Sequence, residues 1–80
     1  MITMDFRTLD IVVLARDLPA HGLRAGDLGT IVELLPPAGL EVEFVTAGGR
    51  THALVTLEVA DVRKATDADL PTARRLDRSA

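Results

Sequence analysis

Leu40-Glu41-Val42-Glu43-Phe44-Val45, Ala47-Gly48-Gly49 and Arg50-Thr51-His52-Ala53-Leu54-Val55-Thr56 are the segments whose reading decides the fold. The first alternates strictly. Leu40, Val42 and Phe44 fall on one face and Glu41 and Glu43 on the other, the pattern of a half-buried strand. Ala47-Gly48-Gly49 is a tight hairpin loop, in which Gly48 and Gly49 accept the positive φ angles that a twisted hairpin needs. The third segment returns as the partner strand. A hairpin with one wet and one dry face points to an antiparallel sheet.

Working outward, Pro36-Pro37-Ala38-Gly39 ends the run before this hairpin. That run, Leu28 to Leu35, reads as a strand, with Gly29 marking a bulge or a close backbone approach. Alternation with Val32 and Leu34 inward would send Ile31 and Leu35 outward. Further upstream, Asp10 to Arg16 is a β-branched run of strand length bounded by charge. Turn chemistry joins the two runs, with Pro19 fixing φ and Gly22 and Gly26 placed where the chain reverses. Downstream, Leu57 to Asp61 is too short for a stable helix and reads as a single 3₁₀ turn. Val62-Arg63-Lys64 is the last strand.

Five short strands with turns between them, and a helical turn before the fifth, predict an all-β domain. The order is that of a small five-stranded SH3-like barrel, and closing the sheet would remove its exposed edges. The expected core is Val12, Leu14, Val32, Leu34, Val42, Phe44, Val55 and Leu57. The chain of 80 residues is short enough for one such domain, and its 48% hydrophobic content is enough for a core. Residues 1–9 are a lead-in, 10–64 the barrel, and 65–80 a basic, loosely ordered tail. The lead-in or the tail could cover apolar surface with Phe6, Leu70 or Leu76.

Charge separates these parts. Residues 10–62 hold eight acids and three bases, whereas residues 63–80 hold five bases and three acids. The overall charge of −3 argues against a dedicated nucleic-acid binder. Cysteine is absent, which excludes disulfides, thiolate metal sites and cysteine catalysis. No run of about 18 apolar residues could span a membrane. No secretory leader is recognisable, so a cytoplasmic protein is expected.

The segments Leu9-Asp10-Ile11-Val12-Val13-Leu14, Asp17 to Leu23, Ala25 to Glu33, Val42-Glu43-Phe44-Val45 and Ala53 to Leu57 together resemble the DUF4926 domain family of small bacterial proteins. The resemblance covers Leu9 to Lys64. It implies an SH3-like protein with no assigned chemistry, and a partner encoded beside it, as for antitoxin or immunity proteins. The stretch Gly26-Asp27-Leu28-Gly29-Thr30-Ile31-Val32 is also similar to the glycine-bearing strand of many SH3-like modules, a likeness of fold alone.

Little in the chain points to catalysis. His21 and His52 are the only histidines, and they lie on different elements, so no metal is expected. His21, between Pro19 and Gly22, is read as ordering its loop, and His52 as a solvent-facing strand residue. Paired carboxylates act on glycosidic bonds only across a cleft, and Glu41 and Glu43 share one strand face. Asp27 is placed to close a turn by accepting backbone amides. No phosphate-loop spacing occurs, and the threonines are ordinary strand residues. No enzyme and no cofactor are expected.

What remains is an interaction module. Glu33, Glu41 and Glu43, with Ile31 and Val45 among them, form the expected partner-binding face, because apolar side chains on an outward face mark interfaces. The partner would be a protein, with self-association into a homo-oligomer as a second option. The alternative is nucleic-acid binding through Arg63, Lys64, Arg74, Arg75 and Arg78.

Overall fold

Leu40, Val42 and Phe44 are buried along β3 (Gly39–Val45), as alternation requires. The computed structural model describes residues 5–45 and 51–69, and only the backbone of Thr51 and His52. β3 pairs antiparallel with β4 (Thr51–Glu58), which sets Val42 against Val55 and Leu40 against Leu57. These inward pairs form the middle of the core. β4 runs two residues past its expected end, because Leu57 and Glu58 still pair with Leu40 and Gly39. The 3₁₀ turn therefore begins at Val59 and ends at Asp61.

β2 (Leu28–Leu35) pairs with β3, β1 (Ile11–Leu14) with β2, and β5 (Val62–Lys64) with β1, all antiparallel. The order is β4-β3-β2-β1-β5. The protein is all-β, with a 3₁₀ turn before the last strand and no α-helix among the described residues. Its strand order is SH3-like, but the barrel is loose. Among the described residues β4 and β5 stay unjoined, as the two edges of an open sheet.

The core differs from expectation on β2. Ile31 is fully buried, with 0% of its surface exposed, and Val32 is 37% exposed. The cause is a register shift. Ile31 faces Val42 and Glu33 faces Glu41, so β2 spends one more residue than β3, and Val32 is the extra one. Beyond it Leu34 meets Leu40 and packs, half-buried, against the core. Ile31 therefore leaves the partner-binding set, and Val32 leaves the core.

Gly29 sits earlier on the same strand, and its role is close approach. A Cβ there would lie 2.6 Å from Val42 Cγ1 and 2.8 Å from Phe44 Cε1. The Phe44 ring and the Val42 methyl fill the space that any side chain would need. The bulge lies three residues away, at Val32.

The long loop between β1 and β2 is tied down by apolar side chains and backbone bonds. Leu18 and Leu23 are buried and exchange backbone hydrogen bonds of 2.9 and 3.2 Å around a 3₁₀ turn, Pro19–His21. Gly22 and Gly26 take φ of 69° and 100°, a region costly for other residues. Gly48 and Gly49 lie outside the described residues.

Both flanks touch the barrel. Phe6 packs against the core and lies 5.7 Å from Lys64 Nζ, ring centroid to nitrogen. After β5 the Ala65 amide donates to Ile11 O, and a 3₁₀ turn covers Asp67–Asp69. Residues 70–80, with Leu70, Leu76 and three of the tail arginines, lie outside the described residues.

Candidate interaction surface

Most of the acids divide by length of side chain. Five aspartates hold turns. Asp10 accepts the amide of Arg7, Asp27 that of Arg24, Asp61 that of Glu58 and Asp69 that of Thr66, each at 2.8–2.9 Å. A short carboxylate three residues on reaches the amide that opens the turn, as in half of a capping box. Asp17 does the same at longer range, accepting the Ala25 amide at 2.9 Å. Only the Asp27 role is legible from its turn sequence.

Two of these aspartates also bind arginine. Arg16 Nε donates to Asp61 Oδ1 at 2.7 Å, joining the start of the long loop to the last 3₁₀ turn. This bond, with the Glu58 amide, holds the Asp61 carboxyl below the usual carboxylate range and raises Arg16. Arg63 grips Asp69 with two donors at 2.8 and 3.0 Å. That fork, then the Thr66 amide and hydroxyl, holds Asp69 well below its ordinary value. These groups are occupied in building the fold.

The glutamates stand on strands. Ile11, Thr30, Glu43 and Leu54 are successive register partners across β1, β2, β3 and β4, and so lie in one row on the outer face. A second row runs Glu33, Glu41, Thr56. Glu33 and Glu41 are directly opposite, which is unfavourable for like charges. Thr56 Oγ1 donates to Glu41 Oε1 at 2.7 Å, and neither acid has an ion pair with a described residue. Leu54 is 56% exposed and Val45 is 53% exposed, so apolar surface borders the acids.

Of the expected face, the structure places Glu33, Glu41 and Glu43 on the outer side of β2 and β3, and sets exposed Val45 at the end of β3, beside a depression at Leu23 and Phe44. It moves Ile31 into the core and adds Val32 and Leu54. Leu54 was readable from alternation with Val55 on the same strand. Val32 was not, because its exposure depends on the bulge.

His21 does not join this surface. His21 is exposed on the loop turn and donates its backbone amide to Leu18 O at 3.0 Å. The side chain of His52 lies outside the described residues. Among the described residues no three His, Asp or Glu side chains stand close enough to hold a metal ion. No helix among them is long and apolar enough to cross a membrane. Two depressions open to solvent, of about 690 and 390 Å³, lie beside Arg16 and Asp61 and beside Leu23 and Phe44. The larger holds Glu58 and Asp61, whose carboxylates belong to the turn and its arginine.

An open SH3-like sheet with turn-building aspartates and an acidic outer face defines a small all-β domain. The chain belongs to the DUF4926 family, whose model, a domain of unknown function, matches residues 8–64. The match begins just before β1 and ends with the last residue of β5. No curated protein and no solved structure matches the chain.

Proposed function

We propose that this protein is a non-catalytic protein-interaction module, which docks a basic partner on the outer face of β2, β3 and β4. The observation that carries this reading is the Glu33–Glu41 pair. Two glutamates are register partners on the outer face, with exposed Val32 next to Glu33 and exposed Leu54 across from Glu43. A Lys or Arg from a partner relieves that repulsion, while the apolar side chains supply a centre that can be desolvated. The partner would be the product of a neighbouring gene, in the manner of an antitoxin or immunity protein, in a cytoplasmic setting.

Nucleic acid fits this face poorly, since carboxylates repel phosphate and no aromatic ring stands there to stack on bases. Arg16 and Arg63 are engaged by carboxylates. The test starts with affinity capture from the cells that make the protein, then binding measured with the purified captured protein. Binding should weaken as salt rises and fall at least about tenfold in Val45→Asp and Glu41→Lys, both folded. Equal binding by both variants overturns the reading. Capture of RNA alone would move the function to the basic residues.

A further inference from the structure

The two edges of the open sheet are built differently. β5 is three residues long and carries Arg63 and Lys64, short and charged as protected edges are. β4 is eight residues long and ends the strand order on the other side. Its run Ala53-Leu54-Val55-Thr56-Leu57 holds no proline and no charge, and so lacks the common guards against strand addition. The ladder to β3 is irregular only between Phe44 and Val45, and is regular from Ala53 to Glu58. Among the described residues no strand pairs with the far side of β4.

We propose that the β4 edge takes up an extended segment of a partner protein as a sixth strand, and that this segment alternates basic with apolar side chains. The inference rests on the acidic-face reading and specifies how the partner is held. Side chains of an added strand alternate between the two faces of the sheet. Those on the outer face lie beside Leu54, Thr56 and Glu58, with Glu41 and Glu43 one strand further in. Strands lie about 4.8 Å apart, so these acids are about 10 Å from the added backbone, within the combined reach of Lys and Glu. Those on the inner face continue the row of Ala53, Val55 and Leu57, and are apolar for that reason. Main-chain bonds then give affinity, and the alternating side chains give choice of partner. A second copy of β4 suits the site less well, because its outer positions Leu54, Thr56 and Glu58 bring no cation to the acids.

The test uses the full chain and a fluorescein-labelled heptapeptide of alternating Lys and Val, with alternating Glu and Val as the control. Anisotropy should show binding of the Lys peptide at least about tenfold tighter than the Glu peptide. Leu54→Lys and Thr56→Lys, both at exposed positions, should each cost a further factor of about ten. Amide exchange followed by NMR should show new protection on alternate residues between Ala53 and Leu57. Peptide binding that perturbs the glutamates but protects no β4 amide overturns the edge proposal and leaves the acidic face standing. No peptide binding, in a protein whose captured partner still depends on Glu41, does the same. A peptide-free dimer with β4 already protected would show a second copy to be the occupant, and would also overturn it.

Discussion

β2 and β3 lie side by side, yet they dispose their side chains by different rules. Along β3 every second residue is buried, from Leu40 through Phe44, without interruption. Along β2 the inward positions run Gly29, Ile31, then Leu34, because Val32 is one residue too many for its partner. The regular strand builds a clean two-sided surface, with the core on one side and Glu41 and Glu43 on the other. The bulged strand lets Gly29 admit Phe44 while Leu34 still meets Leu40. One extra residue thus changes which neighbour in a β-branched pair is core and which is surface.

The largest effect should come from exchanging the members of that pair. Ile31→Asp places a carboxylate where no surface is exposed and should abolish cooperative unfolding, read by circular dichroism. Val32→Asp at the bulge should stay within about 0.5 kcal/mol of the parent. Equal melting of the two variants would break the assignment of the bulge.

Next comes the regular strand. Phe44→Ala removes the largest fully inward side chain of β3 and should cost about 3–5 kcal/mol in denaturant unfolding. A domain of this size has little more than that to lose. A variant as stable as the parent would mean that the ring is not the centre of the core.

Gly29→Ala sharpens the comparison, since it adds one carbon where β2 meets β3 most closely. Both nearest groups are packed side chains, so the core must shift, at a cost of about 1–3 kcal/mol. Gly26→Ala is the control of opposite kind, with open space around the Cβ but φ of 100°. Its penalty should come from the backbone and leave the core's packing unchanged in methyl NMR spectra.

Acid should produce the smallest effect. Asp61 and Asp69 both titrate lower in the folded chain than in the unfolded one. Their contribution is present above the unfolded value of about 4 and is lost as pH falls through the folded values. Thermal midpoints should therefore decline below about pH 4, and less so in Asp61→Asn. The shift is modest because Arg16 and Arg63 are exposed and water screens both pairs. A midpoint that rose on acidification would contradict the direction for both groups.

Much of this was legible in the chain itself. The hairpin glutamates, the turn before the last strand and the Asp27 cap follow from residues close to one another in sequence. Leu18 and Leu23 were harder to read, because their burial comes from a loop folded across the barrel end, not from any periodic run. Asp61 looked like one acid among many until Arg16, 45 residues away, was brought against it.

By itself the sequence determined the strand content, the turns around Pro19 and before β5, and the separation of acidic residues 10–62 from basic residues 63–80. Each of these depends on alternation, proline and glycine, or charge, all local properties of a chain. Only the tertiary structure decided which face of β2 is inward, that no described strand covers the far side of β4, and that Glu33 stands opposite Glu41. Those depend on register between strands, and a shift of one residue turns every side chain beyond it to the other face.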